Sequence, residues 1–215
     1  MSAESPPNGP PNGAEADPGV PLDSRLVVAL VLGQVGMHAA MAGLRLAAPL
    51  QALEEGHGAW TVGMIMALFA AAPVLSAMHA GRMADRHGYH RPVKLAAGLT
   101  VLGTVLAVIS TQLTGQAHIG LLCVGAALAG WGANLGMLAV QRTAGQVARD
   151  TTQRMRIFSW LGAAPSFANV VGPVTAGVMI DMGGFPAAYA LMMVLPFVSL
   201  WSARRVPREA SIRTV

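Results

Sequence analysis

Two long apolar runs separated by a short charged segment most constrain what this chain can fold into. Residues 60–80 and 93–111 each approach the roughly 20 apolar residues needed to cross about 30 Å of hydrocarbon. The segment between them contains GRMADRHG at residues 81–88, which is charged and bounded by glycines. This pattern predicts two transmembrane helices joined by a short loop.

The composition of the chain is typical of a membrane protein. Hydrophobic residues make up 53% of the sequence and charged residues 11%, whereas charged residues are about 25% of an average globular domain. The single cysteine, Cys123, excludes an intramolecular disulfide and a multi-cysteine metal site. The sequence has no serine-elbow, paired-histidine or phosphate-loop motif, so we expect no enzyme activity, no metal and no cofactor.

Hydropathy along the chain predicts an all-α polytopic membrane protein with six spans. These are expected at roughly 26–50, 60–81, 93–111, 118–141, 157–180 and 186–202. Residues 1–24, rich in Pro, Gly and Asn, are predicted to be a disordered cytoplasmic tail, and their acidity argues against a cleaved signal peptide. Residues 25–206 then form the six-helix domain, and 207–215 form a second cytoplasmic tail.

The positions of Lys and Arg predict the orientation of the chain. Of the 14 basic residues, Arg45 lies within a span, and the others flank or fill the segments on one side of the predicted membrane. The opposite loops carry Glu54, Glu55 and Asp181. By the positive-inside rule, both termini are predicted to be cytoplasmic, in a multi-pass protein of the cytoplasmic (inner) membrane. Because the basic residues lie in short loops, a nucleic-acid partner is not expected.

The segment after the second span resembles a motif of the major facilitator superfamily. Its pattern, G-x-M-A-D-R-x-G followed by Arg91-Pro92, is similar to the G-x-L-A-D-R-x-G-R-K loop between helices 2 and 3 of that family. The resemblance implies the N-terminal six-helix half of a twelve-helix transporter. It also implies a conformational latch in this loop, formed by Gly81, Asp85, Arg86, Gly88 and Arg91. The alternative is a simple positive-inside loop with a glycine turn.

The same pattern recurs later in the chain. G-x-M-x-D-x-x-G occurs at residues 81–88 and again at 177–184, each time followed by an aromatic residue and a proline. This repeat predicts that spans 1–3 and 4–6 are two inverted three-helix repeats.

The fifth span carries small residues at regular spacing. The sequence ANVVGPVTAG at 168–177 resembles the antiporter-associated G-x-x-x-G-P-x-x-G-G motif of the same superfamily, with alanine at two glycine positions. Ala168, Gly172 and Ala176 would allow close helix packing, Pro173 would permit a bend, and Gly177 ends the motif. The motif favours an antiporter that performs efflux, and ordinary small-residue packing is an equal alternative.

Polar residues within the first and fourth spans predict a substrate or coupling cavity. Gln34, His38 and Arg45 lie within about 40° of one another on a helical wheel. Asn134 and Gln141 share one face of the fourth span. The alternatives are that Arg45 reaches the membrane interface and that the other residues form hydrogen bonds between helices.

These patterns predict secondary transport of a small organic solute, with efflux favoured. Residues 124–133 contain no equivalent of the arginine that the family carries in helix 4, which weakens the case for proton antiport. His38 would be the group that carries any coupling protons. Since alternating access needs two halves, the expected partner in the bilayer is a second six-helix half or a second copy of the chain. The alternative is a truncated or non-transporting six-helix membrane subunit.

Overall fold

The computed structural model describes residues 24–148 and 150–206, without the side chains of 76, 77, 79–81 and 84–87. Residues 1–23 and 207–215, and with them nearly all of both predicted tails, lie outside the described residues. The described elements are all helices: α1 (Ser24–Glu54), α2 (Ala59–His87), α3 (His90–Ser110), α4 (Gly115–Val147) and α5 (Thr151–Ala203). An apolar chain in lipid forms helices because each helix satisfies its backbone hydrogen bonds internally.

The lengths of the described helices suit a membrane. Four of them, α1, α3, α4 and α5, are long and apolar enough to cross a bilayer, and α2 has a shorter apolar part at Ala59–Leu75. The 21 residues of α3 extend about 32 Å, close to the thickness of the hydrocarbon core. The predicted all-helical membrane fold is therefore confirmed.

The helix α5 contains both of the last two predicted spans. Its 53 residues would extend about 80 Å if straight, more than twice the hydrocarbon thickness. The backbone departs from helical geometry at Gly184, where φ is 72° and ψ is −174°. We therefore describe a first segment of α5 (151–183) and a second segment (185–203). Six separate spans were predicted, whereas the described chain has five helices. The difference arises at Gly184, where the two segments of α5 meet without an intervening loop.

The prediction of a loop at residues 81–88 is wrong, because most of this segment is helical. The helix α2 continues through this segment to His87, and only Gly88 and Tyr89 separate it from α3. Residues 82–87 contain no glycine or proline, so nothing in them breaks a helix. The helix ends at Gly88, whose φ of 63° and ψ of −157° are essentially restricted to glycine.

Gly88 and Gly184 are equivalent residues of the repeated G-x-M-x-D-x-x-G pattern, and they share one backbone conformation. Both have a positive φ with ψ near 180°. Each follows a helical segment and redirects the chain into the next one. The two copies of the motif therefore end in the same way.

Two apolar clusters mark the two ends of the helix bundle. One joins the starts of α1 and α3 to the ends of α4 and α5 through residues such as Leu26, Val93, Ala144 and Ala203. The other joins α1, α2, α4 and the second segment of α5. We call the first the basic end, because its described basic residues are Arg25, Arg82, Arg91, Lys94, Arg142, Arg154, Arg156, Arg204 and Arg205. The opposite, acidic end carries Glu54, Glu55 and Asp181.

Glycines bring helix backbones close together in two places. A Cβ atom on Gly103 of α3 would lie 2.6 Å from the carbonyl oxygen of Gly125 in α4, and a Cβ on Gly125 would lie 2.7 Å from that of Gly103. A Cβ on Gly43 of α1 would lie 3.0 Å from the carbonyl oxygen of Gly172 in α5. Such contacts between small residues are a common source of helix association in membranes.

Candidate functional site

Gln34 and His38 point into the bundle from α1. Their side chains are 2% and 8% exposed. Gln34 Nε2 donates a hydrogen bond of 3.4 Å to the carbonyl oxygen of Leu161, which connects α1 to the first segment of α5. Gln34 Oε1 has no hydrogen-bond partner within the described chain. The cavity beside Gln34 measures about 10 Å³, so it has room for about one water molecule and not for a solute.

Arg45 lies on the same face of α1 by sequence spacing, yet its side chain is exposed. Neighbouring Leu46 is 39% exposed, so this part of α1 is uncovered. Arg45 lies about 10 Å along the helix axis from His38. The predicted polar stripe is therefore divided into a buried pair and an exposed guanidinium group.

Asn134 and Gln141 are half-buried on α4. Nearby on the same helix, Gly136 and Val140 line the small cavity beside Gln34. Of the five predicted cavity residues, Gln34 and His38 are therefore buried, Arg45 is exposed, and Asn134 and Gln141 are half-buried.

A larger groove, which sequence reasoning missed, lies between the starts of α1 and α5 at the basic end. Its volume is about 640 Å³, within the range of small-molecule sites. Val28 and Leu32 supply an apolar wall, and Gln153, Arg156 and Trp160 supply polar and aromatic groups. The signal in the sequence was the spacing of Arg156 and Trp160, four residues apart on one helical face.

The predicted latch is described only in part. Gly81 and the side chains of Asp85 and Arg86 lie outside the described residues, and the backbone there belongs to the end of α2. Gly88 has a positive φ, and Arg91 is exposed in the first turn of α3.

Tyr89 and His90 occupy places where the family motif is basic, and both have structural contacts here. Tyr89 is 3% exposed within the cluster at the basic end, and burial raises the pKa of its hydroxyl group above the usual range. His90 Nε2 lies 3.1 Å from the carbonyl oxygen of Ala203, which can only accept, so His90 donates to it. These two residues join α3 to the core and to the end of α5.

The small residues of the first segment of α5 face α1. Ala168 and Ala176 are fully buried. A Cβ on Gly172 would collide with the carbonyl oxygen of Ala39. Near Pro173, Thr175 Oγ1 donates a hydrogen bond of 2.7 Å to the carbonyl oxygen of Val171.

Gly177 differs from the other members of this motif. A Cβ on Gly177 would have no neighbour within 4 Å. The contact with α1 is therefore made by the residues at positions 168, 172 and 176, and Gly177 lies outside it.

A polar network at the acidic end was also missed from the sequence. Tyr189 donates a hydrogen bond of 2.7 Å to Gln51 Oε1, and Gln51 Nε2 donates one of 2.9 Å to Glu55 Oε1. The other oxygen of Glu55 lies 3.2 Å from Nε2 of His118, and His118 Nδ1 lies 2.8 Å from the carbonyl oxygen of Ser110. The network links α1, α3, α4 and the second segment of α5. The contacts of Gln51 with Tyr189 and of Glu55 with His118 join residues far apart in the chain, so sequence spacing did not indicate them.

His118 contacts two other elements through its two ring nitrogens. The carbonyl oxygen of Ser110 only accepts, so Nδ1 of His118 donates to it and joins α4 to the end of α3. Nε2 lies beside the Glu55 carboxylate, which directly follows α1.

Metal binding is not indicated by the described side chains. Among them, no group of three or more His, Cys, Asp or Glu residues is placed to hold a metal ion.

A sequence profile of the Major Facilitator Superfamily matches residues 30–214, and the chain belongs to this family. The resemblance stated from the sequence is thereby confirmed. Members of the family are membrane transporters.

The similar proteins are exporters and transporters of about twice its length. It is 25% identical over 166 residues to the Enterobactin exporter EntS of Salmonella choleraesuis (strain SC-B67), which is 77% of this chain and 39% of the exporter. It is also 25% identical over 165 residues to the Enterobactin exporter EntS of Citrobacter koseri, which is 76% of this chain and 39% of that exporter.

Among solved structures, a peptide transporter POT in complex with sulfate matches with a TM-score of 0.70 and 19% identity, over 83% of this chain and 37% of that one. A POT family transporter in complex with thioalcohol conjugated peptide matches with a TM-score of 0.68 and 16% identity, over 87% of this chain and 39% of that one. These structures share the fold. The chain spans about two fifths of the length of the proteins it matches.

Proposed function

We propose that this chain supplies one half of a secondary transporter that exports a small organic solute, completed by a second six-helix unit. The observation that carries the proposal is the solute-sized groove between α1 and the first segment of α5, with Arg156 and Trp160 in its wall. Family membership and the exporters among the relatives favour efflux. An arginine and an aromatic ring suit a solute with an anionic or aromatic group.

An exposed apolar stripe supports the need for a second unit. Val170, Val174, Val178 and Met182 follow one another at four-residue spacing on the first segment of α5, and they are 62%, 59%, 48% and 76% exposed. They lie on the side of the helix away from the α1 contact. A second half, from a second copy or a separate chain, would cover this stripe and close the groove.

The arrangement in the membrane belongs to the same proposal. We place six spans as two inverted three-helix repeats, counting the two segments of α5 separately, with both termini in the cytoplasm and the basic end facing it. The shared conformation of Gly88 and Gly184 supports the repeat. Asp85 and Arg86 at the end of α2, together with Gly81, Gly88 and Arg91, would form the latch, since Gly88 leaves a connection of only two residues between α2 and α3.

The buried polar residues of α1 are proposed to act when the two halves move. Gln34 and His38 are covered in the present arrangement, and Arg45, Asn134 and Gln141 are at least partly accessible. Rocking of the halves would open a path that includes both sets. His38 would then take up and release the coupling proton.

Transport in proteoliposomes tests this function. The chain is reconstituted and an imposed pH gradient drives uptake of labelled enterobactin. We expect flux above that of empty liposomes, and we expect Arg156→Ala to reduce it several-fold. The matched control is Arg154→Ala, because Arg154 is exposed two residues away and does not line the groove. Absence of flux, alone and with the products of neighbouring genes present, would favour the non-transporting membrane subunit.

A further inference from the structure

We propose that an anionic phospholipid binds in the groove between α3 and the second segment of α5, at the basic end. This α3–α5 groove has a volume of about 780 Å³ and is lined by residues that include His90, Lys94, Gly98, Phe197, Leu200 and Arg204. It lies on α3 and the second segment of α5, whereas the proposed solute groove lies on α1 and the first segment of α5. The inference therefore goes beyond transport and requires only that the chain is embedded in a membrane.

The mouth of the α3–α5 groove is positively charged. Lys94 and Arg204 line it, and both side chains are exposed. No carboxylate is found among the groove's lining residues in the described part of the chain. Each basic residue near a membrane surface contributes roughly 1 kcal/mol of attraction to anionic lipid. Two such residues on adjacent helices can hold one phosphate group between them.

Both walls of the groove change from charged to apolar along their helices. On α3, Lys94, Gly98 and Val101 follow at the spacing of one helical face. On the second segment of α5, Arg204 is followed inward on the same face by Leu200 and then Phe197. A phospholipid has this same order, with an anionic headgroup and then an acyl chain.

The charged mouth of the groove lies at the depth in the membrane at which lipid headgroups are found. Trp201 is 50% exposed, and the guanidinium carbon of Arg205 lies 4.2 Å from the centre of its ring. Tryptophan is enriched at the boundary between hydrocarbon and water. The adjacent Lys94 and Arg204 therefore lie where phosphate groups of the bilayer are found.

The surface around the groove excludes a soluble ligand. Leu95 and Leu102 on α3 are 41% and 48% exposed, and Val194 and Val198 on α5 are 54% and 37% exposed. Apolar side chains that surround a groove within a membrane-spanning segment face lipid tails. The hydrogen bond from His90 to the carbonyl oxygen of Ala203 holds the two walls together at the mouth.

Native mass spectrometry of the full chain in detergent tests the charge contribution. The probes are phosphatidylglycerol and phosphatidylcholine with identical acyl chains. We expect the wild type to bind phosphatidylglycerol in preference, and the double variant Lys94→Ala/Arg204→Ala to bind it roughly tenfold or more weakly. The control is Arg82→Ala/Arg154→Ala, which removes the same charge from exposed residues of the basic end outside the groove. Equal losses in the two double variants would overturn the site in favour of diffuse attraction.

A steric variant tests the acyl part of the groove without changing any charge. A Cβ on Gly98 has no neighbour within 4 Å, so Gly98→Phe can fold and fill the groove. Gly120 of α4 is equally open and supplies the control Gly120→Phe. We expect only Gly98→Phe to displace phosphatidylglycerol. Unchanged binding by Gly98→Phe, or full competition by an equal concentration of inorganic phosphate, would overturn the assignment to a lipid.

Discussion

Tyr189 donates its hydroxyl hydrogen to Gln51 Oε1 across 2.7 Å, although 138 residues separate the two in the chain. Tyr189 is fully buried and Gln51 is 5% exposed. Gln51 also contacts Glu55, because its Nε2 donates a hydrogen bond of 2.9 Å to Glu55 Oε1. The start of the second segment of α5 thereby orients the carboxylate at the end of α1.

Tyr189→Phe should lower the free energy of unfolding by about 1–2 kcal/mol, because it leaves Gln51 Oε1 buried without its donor. Tyr89→Phe is the matched control. The hydroxyl group of Tyr89 is buried without a hydrogen-bond partner in the described chain, so its removal should be neutral or stabilising. Unfolding in detergent, followed by circular dichroism, measures both. An equal loss in the two variants would contradict this account of the Tyr189 hydrogen bond.

The contact of His118 with Glu55 should appear as an energetic coupling. His118→Gln should destabilise the protein by roughly 1–3 kcal/mol, since His118 is fully buried and joins α4 to α1 and α3. A double-mutant cycle with Glu55→Gln should give a coupling energy of at least ~0.5 kcal/mol. The control is His57→Gln, because His57 is partly exposed and lies 3.9 Å from Glu55. If His57 showed a coupling energy with Glu55 as large as that of His118, the buried contact of His118 would have no special effect on stability.

Much of the fold follows from patterns that are local in the sequence. Apolar run lengths predicted the spanning helices, and the repeated glycine pattern coincides with the breaks at Gly88 and Gly184. The loop prediction at residues 81–88 failed because charged residues end a membrane span without ending a helix.

The sites depend on contacts that helical spacing does not contain. A helical wheel places Gln34 and Arg45 on one face, yet only Gln34 is covered, because Leu161 of α5 packs over it. The approach of His118 to Glu55 depends on how α4 packs against α1. Such arrangements are set by tertiary packing and become visible only in the assembled bundle.

The contact of α1 with the first segment of α5 predicts unequal effects at two glycines of one motif. Gly172→Val should prevent close packing and lower the unfolding temperature substantially, because its side chain would meet the backbone at Ala39 and Gly43. Gly177→Val should be tolerated, because a Cβ there meets nothing within 4 Å. Thermal unfolding of the purified variants measures the difference. Similar unfolding temperatures for the two would show that this helix contact contributes little to stability.

The separation of the basic end from the acidic end predicts the orientation in the membrane. A reporter enzyme that is active only outside the cytoplasm should be silent when it is fused after Val215, and active when it is inserted after Gly56 between α1 and α2. Gly56 lies in the connection at the acidic end and has open space around it. Activity at the first position and silence at the second would reverse the proposed topology.

Proton coupling through His38 gives the last prediction. His38 lies in the middle of α1, 8% exposed, whereas the described carboxylates lie at the two ends of the bundle. Histidine has an ordinary pKa of about 6.5, so among buried residues of the spans it is suited to exchange a proton near neutral pH. His38→Gln keeps a polar side chain of similar length and cannot carry a proton. In the active assembly it should reduce flux driven by a pH gradient at least tenfold and leave solute binding within about twofold, with His57→Gln as the control at the exposed acidic end. Retention of full proton-driven flux by His38→Gln would move the coupling to another group, and the Glu55–His118 pair is the next one to replace.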